Sequence, residues 1–133
     1  KAILKFKIMK KIIHTENAPK AVGPYSQAVL SGNTLFVSGQ IPIDPATGKV
    51  VEGGITEQSH QVLKNMGAIL KEAGFDYENV VKCTCLLADM SYFAEMNAVY
   101  SEYFSDNPPA RAAFAVRGLP LAVLVEIECI AVK

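Results

Sequence analysis

Val81-Lys82-Cys83-Thr84-Cys85-Leu86-Leu87 decides the fold, because this β-branched, apolar run stands between two stretches of helical periodicity. Upstream, Thr56 is the expected N-cap, and Glu57 lies in the first turn, where it favours the helix dipole. Val62, Met66, Ile69, Leu70 and Ala73 then recur at helical spacing until Gly74 stops the run. Downstream, a second helix is predicted from about Ser91 to Phe104, with Phe93, Met96, Tyr100 and Tyr103 on one stripe and Asn107-Pro108-Pro109 ending it. Towards the N-terminus, a short strand is expected over Lys11 to His14. Gln27 to Leu30 and Thr34 to Gln40 read as a hairpin around Ser31-Gly32-Asn33, and Asp44-Pro45-Ala46-Thr47-Gly48 as a turn. Towards the C-terminus, Ala113 to Val116 and Val123 to Val132 are the last two strands. The order β-β-β-α-β-α-β-β predicts an α+β sheet with both helices on one face. The other face stays partly apolar, and a small domain with an uncovered apolar sheet face buries it in an oligomer.

The 133 residues are half hydrophobic and hold neither repeat nor linker, which predicts one domain. Thirteen basic residues balance thirteen acidic ones. A phosphate-backbone binder needs a basic stripe, and only Lys1, Lys5, Lys7, Lys10 and Lys11 supply one, so nucleic acid is not an expected partner. Met9-Lys10-Lys11 reads as a native start, with residues 1–8 a leader left from expression or a disordered segment, and residues 9–133 the domain. No apolar run reaches membrane-spanning length. Cys83, Cys85 and Cys129 are an odd set without framework spacing, which points to free thiols in a reducing, cytoplasmic setting.

Arg111 precedes the apolar Ala112-Ala113-Phe114-Ala115-Val116, and a guanidinium in such surroundings needs an anionic partner. Spacing alone favours an internal ion pair with a glutamate of the last strand over a ligand clamp. Arg117, beside Gly118, reads as a solvated turn residue. Glu126 and Glu128 are two apart in a strand, so both project from one face while Val125, Ile127 and Cys129 take the other. They suit acid–base work with separated pKa values, or equally ion pairing with Lys or Arg at a subunit boundary. Tyr25, in Gly23-Pro24-Tyr25-Ser26-Gln27, either offers its phenol to a ligand or packs its loop. Gly39, in Ser38-Gly39-Gln40, allows close backbone approach to a ligand. His14 and His60 lack partners at metal-ligand spacing, and the thiols fall short of a zinc set, so no metal is expected. Dinucleotide and phosphate-loop motifs are absent, and no cofactor is implied.

Pro109-Ala110-Arg111-Ala112-Ala113-Phe114, Gly118-Leu119-Pro120 and Val125-Glu126-Ile127-Glu128 closely resemble the C-terminal signature of the Rid (reactive intermediate deaminase)/YjgF family. The resemblance runs over nearly the whole chain from about Lys11. It includes Glu16-Asn17-Ala18-Pro19, Gly23-Pro24-Tyr25-Ser26-Gln27, Ser38-Gly39-Gln40-Ile41-Pro42 and Met96-Asn97-Ala98-Val99-Tyr100. It implies a chorismate-mutase-like α+β fold, a homotrimer with a barrel-like centre, and ligand clefts between subunits. It further implies hydrolytic deamination of reactive 2-imino acids, 2-iminopropanoate and 2-iminobutanoate among them, to 2-keto acids and ammonia. Arg111 matches the family arginine that holds the substrate carboxylate, and Glu126 the glutamate that positions or activates water. Tyr25, Gly39 and Asn97 match positions lining the cleft. Where many members carry cysteine two residues after the arginine, this chain has Ala113, which leaves a backbone role in substrate binding and removes any thiol chemistry there. Presence of both Arg111 and Glu126 favours the active subgroup over relatives that keep the fold without deaminase activity. Two further readings use the same chain: a carboxylate-metabolite binding module without turnover, and a translation inhibitor or endoribonuclease. The balanced charge counts against the latter.

Overall fold

Period-two burial along the strands sets the architecture. In the computed structural model, which describes residues 10–133, β6 (Val80–Leu87) buries Cys83, Cys85 and Leu87 and leaves Lys82 exposed. In β8 (Val125–Val132), Val125, Ile127, Cys129 and Ala131 are buried, and Glu128 points the other way. The expected leader and the Met9 start lie outside the described residues.

Six strands form one sheet in the order β1 (Lys10–Ile13), β2 (Ala28–Ser31), β3 (Thr34–Gln40), β8, β6 and β7 (Ala110–Ala115). All neighbours are antiparallel except β6 and β7, which run parallel because a helix crosses over between them. The last strand thus enters the middle of the sheet and joins the N-terminal hairpins to the crossover unit. A small hairpin of β4 (Ile43–Asp44) and β5 (Lys49–Val50) flanks the expected Asp44–Gly48 turn.

Helices α1 (Ile55–Glu72) and α2 (Phe93–Tyr103) pack on each other and, with the sheet, enclose one core. Val62, Leu63, Met66, Ile69 and Leu70 of α1 and Met96 of α2 are buried in it. Helix α1 starts two residues earlier than expected. Gly54, not Thr56, is its N-cap, and its N–H donates to Glu57 Oε1 at 2.8 Å, so a glutamate one turn in replaces the threonine hydroxyl. Gly74, with φ +81°, ends it as predicted. A 3₁₀ turn over Met90–Tyr92 precedes α2, which therefore begins at Phe93 rather than Ser91. Strand β7 begins at Ala110, three residues earlier than predicted, which puts Arg111 inside the sheet.

The face away from the helices stays open. Ile12, Phe36, Val81 and Phe114 are each about half exposed on the strands, at 52, 48, 47 and 47%. None of the described helices is long and apolar enough to cross a membrane.

Candidate active site

Glu126 lies on the open face, at a place prepared by the neighbouring strand. Between Val37 and Gln40, β3 carries one more residue than β8 opposite it, a bulge at Ser38-Gly39. A Cβ on Gly39 would run into the Glu126 carboxylate. Glycine therefore leaves the space that this carboxylate occupies, while its own backbone is ordinary. Burial, and then the like charge of Glu128, push the Glu126 carboxyl above the usual range. The two carboxylates share one face of β8 but differ in burial, with Glu126 half-buried and Glu128 exposed.

These groups border an open cleft of about 850 Å³, lined by Tyr25, Gly39, Glu126 and Glu128 together with Lys20 and Leu121. Gln27, almost fully buried, ties down the loop that forms one wall. Its Oε1 accepts from Thr15 N at 2.7 Å, and its Nε2 donates to the carbonyls of Thr15 and Pro19 at 3.0 and 2.9 Å. Ser38 Oγ donates to Ser26 O at 2.6 Å, fixing the bulge to the same loop. The Tyr25 hydroxyl accepts from Val22 N at 3.3 Å, so this tyrosine both braces its loop and faces the cleft. Leu121 and Ala122 hold left-handed backbone at φ +56° and +54°, and Leu121 stands 70% exposed at the rim.

Arg111 lies on the opposite face. Its register neighbour in β6 is the buried Cys83, and its guanidinium reaches α2. Nη1 donates to Asn97 Oδ1 at 2.7 Å, and the guanidinium carbon stands 4.7 Å from the Tyr100 ring centroid and 5.4 Å from that of Phe93. Asn97 is thus Arg111's hydrogen-bonding partner. Ala113 follows on the same side of β7, beside Cys85. The ion pair with a glutamate of the last strand does not form. Strand β6 separates β7 from β8, and Glu126 and Glu128 point away from the helices. Among the described residues the ion pairs are His14–Glu16 and His60–Glu102, so Arg111 keeps an uncompensated charge. The six expected site residues therefore fall into two groups within one chain: Tyr25, Gly39 and Glu126 in the cleft, and Arg111, Asn97 and Ala113 on the helix side of the sheet.

Lys20, Leu121, Phe93 and Tyr100 are contributors that sequence reasoning did not assign to the site. The last two were legible only as core aromatics, although their spacing with Asn97 (i, i+4, i+7) places all three on one helix stripe. The three thiols are buried, and burial pushes Cys83 upward and Cys85 to about 12, which keeps them protonated at neutral pH. Among the described residues, no three His, Cys, Asp or Glu side chains gather in a metal-binding group.

The sequence profile of the family described as Endoribonuclease L-PSP matches residues 15–133. The chain belongs to this family, the Rid/YjgF family. Within it, a RutC family protein of Pyrococcus horikoshii is 57% identical, over 94% of this chain and 99% of its own. The 2-iminobutanoate/2-iminopropanoate deaminase of Homo sapiens is 51% identical over 95% of this chain and 92% of its own. A Thermotoga maritima crystal structure that carries the endoribonuclease name superposes with a TM-score of 0.92. It is 55% identical and covers 94% of this chain and 98% of its own. The mixed α+β architecture is that of Rid/YjgF structures throughout.

Proposed function

We propose that this protein hydrolyses 2-imino acids such as 2-iminopropanoate and 2-iminobutanoate to 2-keto acids and ammonia, at sites completed between copies of a homotrimer. One observation carries the reading. Within one chain, an arginine without a counterion lies on one face of the sheet, and a carboxylate of raised pKa lies in an open cleft on the other. A half-exposed apolar sheet face supports association, and the human deaminase supports the substrate class.

Chemistry follows from the two halves. The Arg111 guanidinium of one copy holds the substrate carboxylate in a forked pair, and Asn97 and the Ala113 backbone border it. Glu126 of the neighbouring copy accepts a proton as water forms a bond to the imine carbon, and the C=N electrons move to nitrogen. The protonated Glu126 then returns the proton to the amine nitrogen. Glu126 next takes the hydroxyl proton and passes it to the same nitrogen as the C–N bond breaks, so the hydroxyl becomes the ketone and ammonia leaves. Tyr25 and the Gly39 backbone confine the substrate on the Glu126 side. An imine carbon is already electrophilic, so positioning and one proton relay meet the chemical demand without a cofactor.

An endoribonuclease or translation-inhibitor role draws on names alone, those of the family and of solved relatives. A cleft lined by two carboxylates repels a phosphate backbone. A reducing cytoplasm suits the three free thiols.

The test generates each imine in situ with an amino-acid oxidase and traps it with semicarbazide. Wild type lowers semicarbazone formation, and Arg111→Ala or Glu126→Ala restores it. Semicarbazone formation unaffected by folded wild type contradicts the deaminase reading and leaves a carboxylate-binding module.

A further inference from the structure

Phe93, Asn97 and Tyr100 occupy one stripe of α2 at positions i, i+4 and i+7, and all three meet the same guanidinium. Asn97 can hold one guanidinium nitrogen through its single side-chain carbonyl oxygen. Arginine has five N–H donors, so a neutral partner at one of them leaves the group free to swing about that bond. The two rings restrict it, because a cation over an aromatic face is attracted by the ring quadrupole and ring edges block rotation. They do so without neutralising the charge, as a carboxylate would. The Tyr100 hydroxyl is buried, and among the described residues it has no hydrogen-bond partner. It lies within reach of the buried Cys83 thiol, a weak hydrogen-bonding group. The hydroxyl therefore contributes little, and the ring is the part of Tyr100 that the site uses.

We propose that Phe93 and Tyr100 are positioning residues that hold Arg111 as a pre-aimed, uncompensated cation for a substrate carboxylate. This rests on the reading of Arg111 as a carboxylate clamp. It also bears on why arginine occupies this strand position: a planar guanidinium stacks on the rings and presents a fork, whereas a lysine ammonium does neither.

The experiment measures 2-ketobutanoate binding by calorimetry, alongside KM and kcat for 2-iminobutanoate, in wild type, Tyr100→Leu, Tyr100→Phe and Phe93→Leu. Thermal melts and sedimentation accompany each variant. Leucine at 100 weakens 2-ketobutanoate about tenfold and raises KM in step, with kcat much less affected. Phenylalanine at 100 rescues both. Phe93→Leu, at a half-buried position, shifts affinity the same way to a smaller extent, and it decides the matter if Tyr100→Leu fails to fold. Equal affinity in folded wild type, Tyr100→Leu and Phe93→Leu overturns the proposal. So does a Tyr100→Phe variant as weak as Tyr100→Leu, which would give the hydroxyl the role. Wild type that turns over imines yet binds no keto acid overturns the clamp while sparing the deaminase. Keto-acid binding with the stated variant pattern but no turnover spares the cradle and sinks the deaminase.

Discussion

Arg111 and Glu126 show how strand parity assigns chemistry to single residues. In β7 the arginine faces the helices, and in β8 the glutamate faces away from them. Arg111→Ala removes the charged half of a paired hydrogen bond, and kcat/KM falls by about a hundredfold, close to 3 kcal/mol. Steady-state kinetics with in-situ imine check this. Glu126 must be ionised to accept a proton, and its pKa is raised, so activity is lost as pH falls through a value above the usual glutamate range. That acid limb of the kcat/KM profile disappears with the residual activity of Glu126→Gln. A limb at the ordinary glutamate position would show that burial and Glu128 do not act on this group. Gly39→Ala tests the close approach of the bulge. The added methyl displaces the Glu126 carboxylate, costing at least about tenfold in kcat/KM and about 1–2 kcal/mol of stability. Paired activity and thermal-melt measurements separate the two effects. Both carboxylates and the arginine were legible in the sequence as charges set in apolar runs. Their partners were not. Spacing favoured an ion pair between Arg111 and β8, and only strand order shows that β6 lies between them.

At the scale of elements, the sequence carried most of the periodic structure, because α1, β3, β6 and β8 each repeat their apolar positions over several turns or pleats. Ends were less legible, since caps depend on side-chain reach. Glu57 bonding back to Gly54 moves the start of α1, and the 3₁₀ turn before α2 delays that helix by two residues. The β4–β5 hairpin escaped notice because two-residue strands have no period to detect. Asn65 of α1 secures it by donating to the carbonyls of Ile41 and Ile43 at 3.2 and 2.9 Å. The cleft wall hangs on Gln27 in the same way. Gln27→Leu leaves the Thr15 amide and the Thr15 and Pro19 carbonyls unpaired, and lowers the unfolding free energy by about 2–4 kcal/mol. Urea denaturation reads this directly. A change below about 0.5 kcal/mol would mean that the loop is held elsewhere.

For the whole molecule, strand order and register divide the candidate site residues of one chain between the two faces of the sheet. The helices cover one side of the sheet and shelter Arg111. The open side displays apolar residues and the Glu126 cleft. Patterning in the sequence exposed the uncovered face, because strands outnumber the two helices that could cover them. It did not divide the site residues between the two faces, which required the register of β3, β6, β7 and β8. If copies bury the open face and bring the Arg111 of one to the Glu126 of the next, two differently inactivated chains complement each other. The measurement is to refold Arg111→Ala and Glu126→Ala chains together in equal amounts and assay imine hydrolysis. Three-quarters of randomly assembled trimers are mixed, and each mixed trimer regains one of its three sites, which predicts about a quarter of wild-type activity. Activity no higher than that of the separate variants, in mixed trimers shown to have formed, would contradict a site shared between copies.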